Sequence, residues 1–283
     1  MSVQALRTGA LAVAGLAPAS AIAESEWGVN LPYGVTPISQ SIYDIHMVVF
    51  WICVAIGVGV FLAMFWSIFA YRKSKGAKAA HFHENTTVEV IWTVVPLLIL
   101  IGMAVPATQT LVKMYDTSDA ELDVKITGYQ WRWRYEYIEE EIDFFSNPTT
   151  PTAQRTGASE KGPNYLMEVD NHLVLPANRK VRFLITANDV IHSWWVNDFG
   201  VKQDAIPGFV NEAWAIVKEP GIYRGLCAEL CGQGHAFMPI VVEVLPEDEY
   251  DEWMAEQIRE THGDSAAEGD DGEVPVATLN QGN

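Results

Sequence analysis

Residues 46–71 and 88–112 are two apolar runs, each longer than the roughly 20 residues an α-helix needs to cross a bilayer core. The first, "HMVVFWICVAIGVGVFLAMFWSIFAY", carries no Asp, Glu, Lys or Arg, and it predicts a transmembrane helix. The second carries Glu89 near its start together with Pro96 and Pro106, which a spanning helix tolerates where neighbouring helices satisfy the freed carbonyls. Arg72, Lys73, Lys75 and Lys78 lie between the two. That basic turn belongs on the cytoplasmic side, so both ends of the mature chain face outward. Trp66 and Trp92 suit the aromatic belt at the membrane surfaces.

The flanks divide the rest. Residues 1–23 hold Arg7, a short Ala/Gly-rich apolar run and an A-x-A-like site at Ala21 to Ala23, the pattern of a cleaved signal peptide. Glu24 then begins the mature chain, with 24–45 as an amino-terminal periplasmic segment and 46–115 as the helical hairpin. From 116 to 246 the pattern changes. "ELDVKITGYQWRWRYEY", "HLVLPANRKVRFLITAND", "EAWAIVKEPGIYRGL" and "PIVVEVLP" alternate apolar and polar residues between turn formers, which predicts a Greek-key sandwich or barrel. "SNPTTPTAQRTGASEKGPN" interrupts the strands as a polar surface loop. Residues 247–283 read as a short amphipathic helix followed by an acidic disordered tail. This last stretch holds 12 acidic side chains against 1 basic, so it supplies most of the net charge of −18, and total charge is no guide to a docking surface elsewhere.

Within the sandwich, "CAELCGQGHAFM" at 227–238 puts two thiols, an imidazole and a thioether into one turn-rich loop. Cys53, in the first apolar run, is the remaining cysteine and is most simply a small packing residue. A disulfide between Cys227 and Cys231 is one reading of the loop. Zinc is another, although zinc loops favour shorter Cys spacings and rarely use a thioether. Thiolate, imidazole and a weak axial Met form the soft donor set of a cupredoxin electron-transfer copper. A mononuclear site needs one Cys, whereas two thiolates can bridge two copper ions, and that arrangement demands a second histidine from elsewhere in the chain. His192, in "ANDVIHSWWVNDFG", stands at a strand end suited to the task. His46, His81 and His83 flank the apolar runs, His172 falls on a turn, and His262 lies near the tail.

"HSWW", "GVKQDAIPG" and "GLCAELCGQGHAFMPI" together closely resemble subunit II of haem-copper cytochrome c oxidases, bacterial type, over the stretch from the first apolar run to about Pro246. The resemblance implies a two-helix transmembrane hairpin plus an all-β cupredoxin-like Greek-key domain holding a dinuclear copper A centre. Cys227 and Cys231 would bridge both copper ions; His192 and Met238 would complete one, His235 and the backbone carbonyl of Glu229 the other. The Glu229 side chain would help hold a magnesium ion shared with subunit I, and Glu89 would stand at the mouth of a proton pathway there. In "GYQWRWRYEY", Trp131 matches the residue that receives the electron from cytochrome c, while Trp133, Tyr135 and Tyr137 read equally well as sandwich core.

Cytochrome c is basic, which calls for acidic docking groups: Glu136, Asp170 and Asp189, with Glu139, Glu140 and Glu141 as weaker additions. Two positions depart from the family pattern, Asn197 where a Pro is common and Phe209 where an Arg is usual. No C-x-x-C-H motif is present, so haem belongs to the partner subunit alone. The expected protein is subunit II of an aa3-like cytochrome c oxidase in the bacterial inner membrane, with its copper domain periplasmic. It would pass electrons to subunit I for reduction of oxygen to water coupled to proton pumping, in company with further oxidase subunits. The rivals are a quinol oxidase subunit II, whose members lack the copper ligands, and a free-standing copper chaperone or zinc module, which needs neither the hairpin nor Glu89.

Overall fold

The computed structural model describes residues 30–78, 81 and 83–263; the expected signal peptide and the tail from 264 onward lie outside the described residues. Helix α1 runs from Pro37 to Ala70 and α2 from Thr86 to Met114. Both are long and apolar enough to cross a membrane, with none of their most apolar stretches buried within the chain. A span of 34 residues makes α1 about 50 Å long, well beyond a hydrocarbon core of about 30 Å.

Helix α1 begins at Pro37, nine residues before the apolar run at 46. Hydropathy marks where lipid begins, whereas the helix is set by its cap. Thr36 accepts a hydrogen bond from the Ser39 N–H at 3.0 Å, Ser39 Oγ accepts from the Thr36 N–H at 3.0 Å, and Pro37 opens the first turn. The polar residues Gln40, Ser41 and Asp44 continue the helix above the apolar run. This extra length docks on the sandwich. Thr36 Oγ1 donates to the Phe199 carbonyl at 2.7 Å and the Val35 N–H to the Asp198 carbonyl at 2.9 Å. Gly200 permits the approach, since its φ is +68° and a Cβ there would sit 2.9 Å from Ser39 Cα.

Ten strands follow: β1 (Leu122–Tyr129), β2 (Arg132–Tyr137), β3 (Ile142–Ser146), β4 (Leu173–Pro176), β5 (Lys180–Ala187), β6 (His192–Val196), β7 (Val201–Ala205), β8 (Asn211–Ile216), β9 (Gly221–Cys227) and β10 (Pro239–Leu245). They form two five-stranded sheets in the orders β3-β2-β1-β5-β8 and β4-β10-β9-β6-β7. β1 pairs with β5 in parallel and β10 with β4 in parallel; the other pairs are antiparallel. The chain crosses between the sheets after β3, β4, β5, β7 and β8, giving the cupredoxin-like sandwich. Alternation drives the packing: Val124, Ile126, Trp133, Tyr135, Tyr137, Phe183, Ile185 and Trp194 are all fully buried between the sheets. Tyr137 ties them together, its hydroxyl donating to the Val174 carbonyl at 2.7 Å and accepting from the Val174 N–H at 3.1 Å.

The single run "ELDVKITGYQWRWRYEY" is a hairpin, β1 turning into β2 at Gln130 and Trp131 without any Gly, Pro or Asn to announce it. β3 was not expected either, because Phe144 and Phe145 break its alternation. The polar insertion is a loop as expected, with one turn of helix, α3 (Thr152–Arg155). Helix α4 (Glu247–His262) buries Tyr250 and Met254 against the sandwich and turns its acidic residues outward.

Candidate metal centre

Two loops and one strand end meet at the tip of the sandwich away from α1. β9 delivers Cys227, the following loop delivers Cys231, and a single 3₁₀ turn at His235–Phe237 delivers His235 before β10 begins. His192 is the first residue of β6, and the β6–β9 pairing sets Trp194 opposite Cys227. The separation in sequence is closed by register.

The Cys227 and Cys231 Sγ atoms lie 3.8 Å apart and both thiols are free. That is nearly twice the ~2.05 Å of a disulfide, and it is within the reach of two sulfurs sharing a metal at ~2.3 Å from each. Imidazoles aim at the pair from either side: His192 Nδ1 is 3.9 Å from Cys227 Sγ, and His235 Nδ1 is 3.6 Å from Cys231 Sγ. The Glu229 carbonyl oxygen is 3.3 Å from Cys227 Sγ. One ligand atom from each of His192, Cys227 and Cys231 falls within 4.8 Å of the others, and all three residues are buried. Met238 is 1% exposed, and its carbonyl accepts from the Cys227 N–H at 3.1 Å, which sets it directly across from Cys227. The donors are soft, and His192, Cys227, Cys231 and Met238 are buried while His235 is half-buried.

Electrostatics follow from this crowding. Burial opposes ionisation of Cys227, yet hydrogen bonds from His192 and from the Ser193 backbone outweigh it and draw the thiol down to about 7. Cys231 is pushed up to about 12 by burial and by the adjoining Cys227 charge. The pair therefore gives up one proton readily and holds the second until a cation offsets the charge.

Asp189 completes the arrangement in a way the sequence reading did not anticipate. Its carboxylate lies 2.9 Å from His192 Nε2 and accepts from the Gln130 N–H at 2.8 Å and the Val190 N–H at 2.7 Å. Burial resists its ionisation, but the His192 and backbone hydrogen bonds hold the carboxyl below the usual carboxylate range. The imidazole is thus oriented so that Nδ1 faces the thiols, the usual task of a carboxylate behind a metal-binding histidine. The i, i+3 spacing of Asp189 and His192 was the available signal. On its other side His192 packs against Gly128 of β1 and edge-on to Trp133, ring centroids 6.0 Å apart.

Trp131 covers the loop. Its Nε1–H donates to the Cys231 carbonyl at 3.0 Å, and Gln130 Nε2 donates to the same oxygen at 2.9 Å. The indole is pressed so closely on the loop that a Cβ at Gly234 would lie 2.3 Å from its Cδ2. Gln130 carried no signal in the sequence. Trp133, Tyr135 and Tyr137 are core residues.

The other expected site residues are scattered. The side chain of Glu229 is exposed beside the loop. Glu89 sits in the first turn of α2, where Oε1 accepts from the Asn85 N–H at 3.3 Å, at the opposite end of the helix from the sandwich. Glu136 faces Lys125 at 2.9 Å and Arg134 at 3.6 Å. It stands five residues along β2 from Trp131, about 16 Å at 3.3 Å per residue. Glu139 to Glu141 form the turn beyond the far end of β2, farther still. Asp170 accepts from the Asn147 N–H at 2.7 Å, Asn147 Nδ2 at 2.8 Å and the Asn171 N–H at 2.8 Å, fastening the root of the polar insertion. Of the three foremost docking candidates, only Asp189 touches the centre. Asn197 is exposed at the start of a 3₁₀ turn that buries Phe199, and Phe209 is 68% exposed.

Comparison with known proteins agrees along the chain. The family model for the periplasmic domain of cytochrome c oxidase subunit II matches residues 122–245, and the model for its transmembrane domain matches residues 24–110. Cytochrome c oxidase subunit 2 of Cyanidium caldarium is 36% identical over 237 residues, covering 82% of this chain and 91% of the relative. The probable cytochrome c oxidase subunit 2 of Rickettsia bellii is 37% identical over 230 residues, covering 81% and 84%. Among solved structures, the periplasmic domain of subunit II of cytochrome oxidase of Bradyrhizobium japonicum is similar at 39% identity over 51% of this chain and 98% of that one, with a TM-score of 0.45. With a family model on each half and relatives aligned over four fifths of its length, the chain belongs to the cytochrome c oxidase subunit II family.

Proposed function

We propose that this membrane-anchored oxidase subunit carries a dinuclear copper A centre and receives electrons from cytochrome c on behalf of an aa3-like complex. The observation that carries the reading is the convergence of two free thiols and two imidazole Nδ1 atoms at 3.6–3.9 Å. Cys227 and Cys231 would hold both copper ions between them, with His192 and Met238 on one and His235 and the Glu229 carbonyl on the other. When bound, the copper pair supplies one-electron chemistry at small reorganisation cost, because soft, fixed ligands share the charge over two metals.

The chain's own residues do the remaining work. Trp131 presents an indole on the outside of the loop and bonds its N–H to the Cys231 carbonyl, a direct contact from surface to ligand. Asp189 holds the imidazole of His192, and the burial of Cys227, Cys231 and Met238 keeps water from the sulfurs. The burial of all three sulfur-bearing side chains suits a relay more than a substrate site. Oxygen would be reduced to water in subunit I, at haem that this chain does not hold, with coupled proton pumping. The exposed side chain of Glu229 is available for a magnesium ion shared with subunit I. Glu89 stands at the helix end where the basic turn marks the cytoplasmic side, suited to the mouth of a proton pathway. The copper domain and both mature termini would then be periplasmic, at the bacterial inner membrane.

Trp131→Leu tests the relay in the intact oxidase. Electron transfer from reduced cytochrome c is expected to slow by at least about tenfold, equivalent to about 1.4 kcal/mol in the barrier, while copper content and the copper absorption spectrum stay as in the wild type. Unchanged transfer would remove Trp131 from the route.

A further inference from the structure

On the copper reading just proposed, the side-chain ligands arrive on two arms. His192 stands at the start of β6, while Cys227, Cys231, His235 and Met238 lie at the end of β9 and in the loop beyond it. Pairing of β6 with β9 sets Trp194 opposite Cys227, and the Ala228 N–H donates to the Ser193 carbonyl at 2.9 Å. Those ties fix Cys227 against His192. Cys231 comes after them in the chain and before the next, the His235 N–H on the Gly232 carbonyl at 3.2 Å.

Gln130, in the turn from β1 to β2, reaches both arms. Its backbone N–H donates to Asp189 Oδ2 at 2.8 Å, and the other oxygen of that carboxylate, Oδ1, lies 2.9 Å from His192 Nε2. Its side chain turns to the loop, where Nε2–H donates to the Cys231 carbonyl at 2.9 Å. A run of hydrogen bonds thus leads from the imidazole of His192 through Asp189 and Gln130 to the backbone of Cys231. The same carbonyl accepts from Trp131 Nε1–H at 3.0 Å, which occupies both of its lone pairs. The loop is shaped for this contact: Gly232 holds φ at +107°, and a Cβ there would lie 3.1 Å from Gln130 Nε2 and 3.2 Å from Trp131 Cζ2.

Two consequences follow from a donor at that place. With its carbonyl held to the β1–β2 turn, Cys231 keeps its Sγ 3.8 Å from Cys227 Sγ and 3.6 Å from His235 Nδ1. The amide is also a fixed dipole whose positive end points at the ligand loop, and such a dipole favours the redox state that carries one positive charge fewer. Gln130 itself is exposed at the rim of the sandwich, so the core does not depend on it.

We infer that Gln130 is a positioning residue of the metal centre, which ties the His192 arm to Cys231 and raises the reduction potential of what they hold. The inference rests on the copper reading and deepens it. Gln130→Leu removes the side-chain donor and keeps the backbone N–H on Asp189. Gln130→Asn keeps an amide but shortens its reach by one methylene.

The test uses the full chain in detergent, loaded with copper, as wild type and as each variant. Redox titration, electron paramagnetic resonance, competition with a copper chelator and thermal unfolding are followed on the same samples. Both variants are expected to shift the reduction equilibrium toward the oxidised form by about twofold to tenfold, the range that one neutral hydrogen bond spans. The unpaired electron should be shared less evenly than in the wild type, and copper should be lost to the chelator about tenfold more readily, the lower end of what an outer partner of a metal ligand controls. The unfolding temperature should stay close to the wild-type value. Variants with the wild-type potential and spectrum, whatever their unfolding temperature, or with a raised potential, overturn the inference and leave the copper reading standing. A wild type that takes up no copper pair overturns that reading and the inference with it.

Discussion

Cys227→Ser and Cys231→Ser are each expected to abolish the whole metal centre and not half of it. Both sulfurs belong to both metals in the proposed ligand set, and their 3.8 Å separation leaves each thiol facing the same space. A hydroxyl is a hard donor that does not replace thiolate for a soft metal. Turnover of the oxidase with cytochrome c should fall by at least about 100-fold, the upper end of what the loss of a mere outer partner produces. Metal analysis of the purified full chain should find less than one copper per chain, against the two proposed for the wild type. The fold should survive, because an added buried hydroxyl without a partner costs only about 1–3 kcal/mol. Thermal unfolding followed by circular dichroism checks that point. A Ser variant that keeps one firmly bound copper would contradict the bridging arrangement.

The second large effect is expected at a residue with no polar atom in its side chain. Gly128 pairs with Trp133 across β1 and β2, and a Cβ there would stand 2.7 Å from Cδ2 and 3.0 Å from Cγ of His192. Neither neighbour can yield easily, since β1 is held by β2 and β5 and the imidazole is held by Asp189 on its far side. Gly128→Ala should therefore displace His192 Nδ1 from Cys227. Overpacking at the site costs roughly 1–3 kcal/mol of stability, and copper affinity should drop by about 10-fold to 100-fold, as when a histidine loses its orientation. Competition with a copper chelator measures the second quantity. Gly162→Ala is the control: the nearest atom to its added Cβ is Gln154 Nε2 at 3.9 Å, so copper affinity should stay at the wild-type value.

Several features were open to reading from residues alone for definite physical reasons. Apolar runs longer than a bilayer announce themselves, and so do strands that bury every second residue, as β5 does with Val181, Phe183, Ile185 and Ala187. The loop from Cys227 to Met238 concentrates rare donor types at short range, and the demand for a second imidazole pointed to His192, which β6 places 3.9 Å from Cys227. What escaped was set by tertiary contact. The first turns of α1 are polar, and their place is fixed by Thr36 and Ser39 docking on Phe199 and Gly200, a contact more than 150 residues away in sequence that no local pattern encodes. Asp189 looked like a surface charge because its partner, His192, turns toward it only once β6 has paired. Gln130 reaches the Cys231 carbonyl across 101 positions. Glu136 and Asp170 looked free for the same reason; Lys125 and Asn147 meet them only in the folded sandwich.

The account turns on what Cys227, Cys231, His192 and His235 hold. The direct measurement is metal analysis of the full chain in detergent after copper is supplied, together with electron paramagnetic resonance of the same sample. The account predicts two copper ions per chain and a single unpaired electron spread equally over both. One zinc ion per chain, or one copper with the unpaired electron confined to a single nucleus, would contradict it.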